Sequence, residues 1–378
     1  MIQKVFLGKK TVKELYLPNF FTICDQFMTL YKIKISTHEG LDARWVLNHT
    51  KGGKGISKCG RYQFFLNEEV ENPDFWAVRG KGITRRETCN VAPQNTILLL
   101  SEPRSIINYP KSYRDQFGML CSCQKELKHK NIWFTPAILP WFVGYNQRLK
   151  NTCTIGYDAL KTMDAPPKKK MISVVTSNKA FTKGHQDRIK FVEHLKKHYG
   201  NQLDVFGRGY NEFDDKWDVL APYKYHIAIE NCSTKYYWTE KLMDCYLTET
   251  YPIYYGCTNT GDYFPEGSFT PIDILRPDEA IAKIDETIRK NEFENSLHIL
   301  RHCKDLVLDK FNMFEMIASF CDQLDPMATK KPVTMKPAIS ALDWHNLYLY
   351  LFANNFYTLK MKIKKWVGRP SVLTSTFQ

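Results

Sequence analysis

The segment of residues 223–273 limits the possible folds more than any other part of this chain. It begins with a short apolar run at residues 226–229, which is typical of a buried parallel strand. A helix is predicted to begin after Thr239, a residue type that caps helix N-termini, and a second apolar run at residues 252–255 predicts the next strand. Parallel strands joined by a helix belong to open α/β sheets, so we expect an α/β fold.

The polar side chains of this segment fall where such sheets bind ligands. Ligands of open α/β sheets lie at the carboxyl ends of the strands, beside helix N-termini. A helix N-terminus next to a lysine also attracts phosphate groups. The residues at this position are Glu230, Asn231, Tyr237, Glu240 and Lys241. We therefore expect them to surround a phosphate-containing ligand.

The order of residues in the segment also resembles a known family. Its sequence IEN, followed by YWTEKL, PIYYG and YFP, is similar to the donor-binding motif of the α-1,3/4-fucosyltransferases, glycosyltransferase family 10. The family pattern is roughly F-E-N, a loop, then Y-x-T-E-K, and Ile229 stands here in place of the phenylalanine. The chain is identified as a bacterial-type member of that family. The resemblance is close over residues 171–275 and loose over residues 95–145.

The resemblance implies a GT-B-like α/β fold, in which two Rossmann-like domains face a cleft. Residues 1–165 are then the acceptor-side domain, and residues 166–330 are the domain that binds the nucleotide-sugar. The boundary is visible in the sequence, since residues 164–170 combine two prolines with a run of lysines, as linkers do. Residues 331–378 are predicted to form a C-terminal tail.

The resemblance also implies a role for each polar residue of the donor site. Lys241 and Arg188, the latter in the first turn of a predicted helix, are expected to bind the donor pyrophosphate. Glu240 is expected to bind the ribose hydroxyl groups, and Asn231 and Tyr237 are expected to line the donor pocket. The implied donor substrate is GDP-fucose, whereas the residues by themselves indicate only a pyrophosphate and a ribose.

A further carboxylate, outside this segment, is the predicted catalytic base. Residues 95–100 read NTILLL, which predicts a buried strand, and Glu102 follows its carboxyl end beside Pro103, which fixes the local backbone. Family members carry a glutamate at a comparable strand end, assigned as the general base that deprotonates the acceptor hydroxyl. Glu102 is therefore the predicted catalytic residue, and a surface glutamate that begins a loop is the alternative. The family inverts the anomeric centre, from a β-linked donor to an α-linked product.

Two other functions stay open on the sequence. One is a glycosyltransferase of the same scaffold that uses another nucleotide-sugar in lipopolysaccharide or capsule assembly. The other is an inactive protein that binds a glycan or a nucleotide. No Asp-x-Asp metal motif precedes the donor domain, because Asp214 and Asp215 are adjacent, so no metal site and no essential cofactor are expected. The acceptor is expected to be a glycan, with a lipid-linked glycan as one option.

The net charge of +13 indicates either an anionic binding partner or simply a solvated basic surface. The sequence contains no signature of a nucleic-acid module, so no nucleic-acid partner is expected. We favour an anionic nucleotide-sugar together with an anionic membrane surface. Residues 346–369, NLYLYLFANNFYTLKMKIKKWVGR, combine aromatic side chains with lysines, which is the composition of an interfacial helix. Packing of this helix on the protein's own domains is the alternative.

Hydropathy and cysteine spacing indicate the cellular compartment in which we expect the protein. The sequence contains no run of 18 or more apolar residues, and the N-terminus lacks the continuous apolar segment of a signal peptide. The eleven cysteines are not spaced like metal ligands. We therefore expect reduced thiols in a cytoplasmic protein. The basic tail adds the expectation of peripheral contact with the cytoplasmic face of the membrane.

Overall fold

The computed structural model describes residues 30–37, 43–146, 148–149, 152–180 and 182–338. The first 29 residues and the predicted interfacial helix lie outside this part of the chain. Within it, two parallel sheets each form the centre of a Rossmann-like α/β domain. The predicted GT-B-like α/β fold is thereby confirmed.

The N-terminal domain is organised around a six-stranded parallel sheet with the strand order β2-β1-β3-β5-β6-β7. The strands of this half are β1 (Tyr31–Thr37), β2 (Tyr62–Leu66), β3 (Phe75–Arg79), β4 (Glu87–Val91), β5 (Thr96–Leu100), β6 (Met119–Ser122), β7 (Ile132–Phe134), β8 (Tyr145–Asn146) and β9 (Thr152–Cys153). Its helices are α1 (Ala43–Leu47) and α2 (Lys111–Arg114). Helix α3 (Tyr157–Thr162) precedes the domain boundary predicted at residue 165, but it buries Tyr157 and Leu160 in the core of the C-terminal domain. The short pair β8 and β9 is antiparallel and lies outside the main sheet.

The apolar run of β5 is explained by its central position. Ile97 and Leu99 point into a hydrophobic cluster on one face of the sheet, and Leu98 and Leu100 point into a second cluster on the other face. All five residues of the strand are buried. A parallel strand that is covered on both sides reads as a continuous hydrophobic run, which is why this strand was predictable.

The C-terminal domain contains a five-stranded parallel sheet with the order β11-β10-β12-β13-β14. Its strands are β10 (Lys170–Val175), β11 (Leu203–Phe206), β12 (Tyr223–Ile229), β13 (Tyr251–Tyr255) and β14 (Thr270–Pro271), and β15 (Lys331–Met335) follows them in the chain. The helices are α4 (Lys183–Tyr199), α5 (Lys216–Leu220), α6 (Glu240–Leu247), α7 (Pro277–Arg289), α8 (Glu292–Asn295), α9 (Leu297–Asp309) and α10 (Met313–Cys321). Short 3-10 helices lie at Lys51–Gly53, Pro93–Asn95, Gly200–Gln202 and Thr260–Asp262. The strand–helix–strand unit β12-α6-β13 lies where the sequence predicted it.

The chain passes from the first domain to the second at residues 141–144. Trp141 and Val143 are buried in the core of the C-terminal domain, whereas Phe142, between them, packs against the core of the N-terminal domain. The alternation of these three side chains ties one short segment, which ends in a turn at residues 143–144, to both cores. We refer to residues 141–144 as the crossover segment.

The chain later returns to the N-terminal domain. Phe314 of α10 packs against Phe64 of β2, with ring centroids 4.9 Å apart, and β15 pairs antiparallel with β4. The sequence analysis had assigned α10 to the second domain and β15 to a separate tail. The apolar face of α10 has to be buried, but the sequence does not tell which of two cores it joins.

Among the helices of the described residues, none is long and apolar enough to cross a membrane. The ten cysteines in this part of the chain are free thiols. Seven are buried, Cys153 and Cys232 are half-buried, and Cys59 is exposed on the surface.

Candidate active site

A cavity of about 480 Å³ opens at the point where the second sheet reverses its strand order. The order reverses between β10 and β12, and ligands of open α/β sheets bind at the carboxyl ends of the strands at such a point. The basic side chains that line the cavity in the described part of the chain are Lys179, Arg188, Arg208, Lys216 and Lys241. Because so many cations share one concave surface, the cavity favours an anionic ligand.

Lys241 is fixed between two carboxylates at the N-terminus of α6. Its Nζ lies 3.1 Å from Glu230 Oε2 and 3.3 Å from Glu240 Oε1. Burial lowers the pKa of Lys241, but Glu230 and Glu240 raise it by more, so the ammonium group stays charged. The side chain of Thr239 accepts a hydrogen bond from the backbone N–H of Lys241, which confirms the predicted helix cap.

Glu230 connects the end of β12 to the start of α6. Its carboxylate is fully buried and accepts hydrogen bonds from the backbone N–H of Thr239 at 2.8 Å and from its hydroxyl group at 2.9 Å. Gly256 makes room for this carboxylate, since a Cβ atom there would lie 2.4 Å from Glu230 Cγ. A buried carboxylate is stable only when such partners replace water.

Arg188 lies on α4 and reaches the loop that follows β12. Its Nη1 donates a hydrogen bond to Asn231 Oδ1 at 3.0 Å, and its Nη2 lies 3.5 Å from Ser177 Oγ. Its Nε is buried and has no hydrogen-bond partner among the described residues. The helix approaches this loop closely at Gly184, where a Cβ atom would lie 1.9 Å from the carbonyl oxygen of Asn231. A guanidinium group with an unused N–H beside an anion-binding cavity suits a phosphate oxygen.

Lys216 and Asp244 are cavity residues that the sequence analysis missed. Lys216 Nζ lies 2.6 Å from Asp244 Oδ2 and 3.9 Å from Glu240 Oε1. Burial raises the pKa of Glu240, but Lys241 and Lys216 outweigh burial and lower it to about 2. Glu240 is therefore an ionised acceptor that suits the two hydroxyl groups of a ribose. The clue in the sequence was the pair Asp215-Lys216, where Asp215 caps α5.

Asp244 also connects the cavity to the crossover segment. Its Oδ1 accepts hydrogen bonds from the backbone N–H groups of Phe142 at 2.9 Å and Val143 at 3.2 Å. Lys216, its partner on the cavity side, lies over the ring of Phe142 at 5.4 Å from the ring centroid. The wall of the cavity and the connection between the domains thus share one buried ion pair.

Asn231 and Tyr237 lie beside the cavity and do not line it. Asn231 acts through its hydrogen bond to Arg188. Tyr237 is buried in a small cluster with Cys123 and Ala137 of the N-terminal domain. The preceding residue, Tyr236, has a left-handed backbone with φ of 66°, which is rare for a bulky side chain. This loop is therefore part of the contact between the two domains.

Glu102 lies in a different, smaller cavity. This cavity of about 100 Å³ is at the carboxyl ends of β1 and β3, where the first sheet also reverses its strand order. Arg79 and Lys81 line it together with Glu102. The pKa of Tyr237 is raised, first by burial and then by the carboxylates of Glu230 and Glu102. Glu102 is thus within electrostatic reach of the second domain's site.

The predicted site residues therefore fall into three groups. Arg188, Glu240 and Lys241 line one cavity, Asn231 and Tyr237 lie between this cavity and the first domain, and Glu102 belongs to the first domain. In the part of the chain that the structure describes, no three His, Cys, Asp or Glu side chains are arranged to hold a metal ion.

Comparison with known proteins identifies relatives of this architecture. The family model described as glycosyltransferase family 10 (fucosyltransferase), C-terminal part, matches residues 165–338. The α-(1,3)-fucosyltransferase FucT of Helicobacter pylori is 38% identical over 74 residues, which cover 19% of this chain and 15% of the relative. The 4-galactosyl-N-acetylglucosaminide 3-α-L-fucosyltransferase 9 of Mus musculus is 27% identical over 133 residues, 34% of this chain and 36% of the relative. The matches thus span well under half of either relative.

Two solved structures are also similar. An α1,3-fucosyltransferase with GDP is 19% identical, with a TM-score of 0.46, and the match covers 81% of this chain and 93% of the other. A glycosyltransferase from Rickettsia africae ESF-5 is 11% identical, with a TM-score of 0.42, over 78% of this chain and 98% of the other. The two parallel sheets of this chain show its fold without these similarities.

The low pKa of Glu240 predicts a loss of stability in acid. A carboxylate with a folded-state pKa of about 2, against an ordinary value of 4.5, stabilises the fold above about pH 4.5 and loses this contribution as the pH falls towards 2. The full contribution is about 3 kcal/mol. We expect the difference in the free energy of unfolding between the wild type and Glu240→Gln to shrink between about pH 5 and about pH 2, as measured by urea denaturation.

The matched control is Glu266→Gln, at an exposed position of the same domain. This exposed carboxylate has no buried ion pair to lose, so its replacement should leave the pH dependence of unfolding as in the wild type. A difference between the wild type and Glu240→Gln that stays constant over the whole pH range would contradict the assignment of the ion pairs.

Proposed function

Because residues 165–338 match the family model of the C-terminal part of glycosyltransferase family 10, we propose that this chain is a glycosyltransferase that moves fucose from GDP-fucose to a hydroxyl group of a glycan acceptor. The observation that carries the proposal is the grouping of Arg188, Glu240 and Lys241 in one cavity at the carboxyl edge of the second sheet. Two cations suit a pyrophosphate, and an ionised carboxylate suits a ribose diol. The names of the matched relatives support fucose as the transferred sugar.

The proposed reaction exchanges one C–O bond for another. A bond forms between the acceptor oxygen and the anomeric carbon of fucose, and the bond from that carbon to the β-phosphate oxygen of GDP breaks. Negative charge grows on the departing GDP, so cations that are already in place lower the barrier. Arg188 and Lys241 are held by Asn231 and Glu230 before any ligand binds, and they meet this need.

An inverting reaction requires the base and the leaving group on opposite sides of the anomeric carbon. Glu102 belongs to the first domain, whereas the phosphate-binding cations belong to the second. We propose that the acceptor hydroxyl lies between the domains and gives its proton to the Glu102 carboxylate as the new bond forms. A β-linked donor then yields an α-linked product.

The experiment that tests the function is turnover with a panel of nucleotide-sugars. We expect release of GDP from GDP-fucose when a galactosyl-N-acetylglucosamine acceptor is present. Release from a different nucleotide-sugar alone would favour another transferase of the same scaffold. Tight binding of GDP, without turnover of any nucleotide-sugar of the panel, would favour an inactive binding protein.

Removing either pyrophosphate cation should weaken donor binding. We expect Arg188→Ala and Lys241→Ala each to lose a charge-assisted contact worth about 1.5–3 kcal/mol, which corresponds to about a tenfold to hundredfold lower affinity for GDP. Isothermal titration calorimetry measures this directly. The matched control is Lys190→Ala, at an exposed position of the same helix as Arg188. GDP affinity that is unchanged in both site variants would refute the assignment.

Replacing the proposed base should abolish transfer and spare donor binding. Glu102→Gln keeps the shape of the side chain and removes its basicity, so we expect the transfer rate to fall by about 10²–10⁴. GDP affinity should equal that of the wild type, because Glu102 lies outside the donor cavity. Glu126→Gln, at an exposed position of the same domain, is the control. A wild-type transfer rate in Glu102→Gln would assign the base to another residue.

We also propose that the tail within residues 346–369 binds an anionic membrane surface at the cytoplasmic face. Each lysine near such a surface contributes about 1 kcal/mol, so the basic cluster suffices for binding at low salt. Co-sedimentation of the full chain with anionic vesicles is expected to exceed that of a chain ending at residue 341, and to fall with added salt. Equal sedimentation of the two chains, or no dependence on lipid charge, would favour packing of the tail on the protein.

A further inference from the structure

The donor cavity contains a buried histidine for which the proposed reaction has no role. His226 lies in the middle of β12, is 4% exposed, and is one of the residues that line the cavity. Leu220 of α5 and Phe213 line the same cavity and supply apolar surface next to it. A buried imidazole that faces a ligand cavity is a candidate for a specific polar contact.

The hydrogen bonds of His226 fix which of its ring nitrogens carries the proton. Its Nδ1 lies 2.8 Å from Ser173 Oγ, and Ser173 donates its single proton to the carbonyl oxygen of Val219 at 3.0 Å. Ser173 therefore accepts the Nδ1–H of His226. Burial, with a smaller effect from the charge of Lys216, lowers the pKa of His226 to about 3, so the ring is neutral. Its Nε2 is then a hydrogen-bond acceptor.

The direction of a bound nucleotide follows from the charges of the cavity. Arg188 and Lys241 bind the pyrophosphate in the proposed function, and Glu240 binds the ribose. Glu240 lies 3.9 Å from Lys216 of α5. His226 of β12 lies next to the same helix, because its hydrogen-bond partner Ser173 donates a hydrogen bond to the carbonyl oxygen of Val219 in α5. The order of pyrophosphate, ribose and base along the ligand therefore leads from α4 towards α5 and His226.

We propose that His226 selects the nucleobase, with its Nε2 accepting a hydrogen bond from the ring N–H of guanine. The inference rests on the proposed function, since it takes the position of the nucleotide from it. Guanine carries a hydrogen on N1 and an amino group on C2, so this edge donates. Adenine carries a lone pair on N1, which would face the lone pair of Nε2. A site with a fixed acceptor rejects such a base because both acceptors stay unpaired.

The experiment compares the affinities for GDP and ADP by calorimetry in the wild type and three variants. We expect the wild type to prefer GDP, and His226→Phe to lose about three- to tenfold in GDP affinity with little change for ADP. In His226→Gln the amide can present either its oxygen or its nitrogen, so ADP should bind more tightly than to the wild type. In Ser173→Ala the imidazole is free to carry its proton on Nε2, so ADP should again gain affinity.

The control is His194→Gln at an exposed position of α4, which should keep the wild-type ratio of GDP to ADP affinity. Thermal unfolding of each variant shows whether it is folded. If His226→Phe does not fold, His226→Gln and Ser173→Ala still test the inference. Wild-type protein that prefers ADP, or an unchanged GDP-to-ADP ratio in the folded variants, would overturn the role of His226. Failure of the wild type to bind either nucleotide would instead overturn the proposed function.

Discussion

The hydrogen-bonded ion pair between Glu230 and Lys241 is the interaction on which the site depends. Removing a carboxylate from water is costly, and the Coulomb attraction offsets that cost only when other hydrogen bonds complete the shell. Thr239 supplies those bonds, and it caps α6 at the same time. The end of β12, the start of α6 and the position of the ammonium group are therefore set together. The cavity has its shape before a ligand arrives, which lowers the cost of binding.

The same helix joins the cavity to the rest of the molecule. Lys241 is near its beginning, and Asp244, almost one turn later, binds Lys216 and the backbone of the crossover segment. Residues three or four apart share one face of a helix, so one face of α6 serves both purposes. A ligand charge that competes for Lys216 would therefore act on the connection between the domains as well as on the cavity wall. The donor site and the domain contact are parts of one electrostatic unit.

The sequence was most informative where local rules decide the structure. The apolar run of β12, the cap at Thr239 and the strand before Glu102 follow from patterning and capping, and the structure contains all three. Lys216 and His226 were missed because their role depends on strands and helices that meet only in the folded chain. The position of Tyr237 between the domains was equally inaccessible, since it depends on how the two sheets face each other. The sequence also did not show which domain α10 packs against, because the apolar core of either domain could bury its apolar face.

The return of the chain through α10 and β15 has a mechanical consequence. A domain on one linker can swivel in any direction, whereas two separate connections define an axis, and rotation about that axis is the motion that strains neither of them. Here residues 141–156, which begin with the crossover segment, form the first connection, and the short stretch between α9 and α10 forms the second. Opening and closing of the interface that holds Tyr237 is then a hinge motion with one degree of freedom, and twisting of one sheet against the other is opposed.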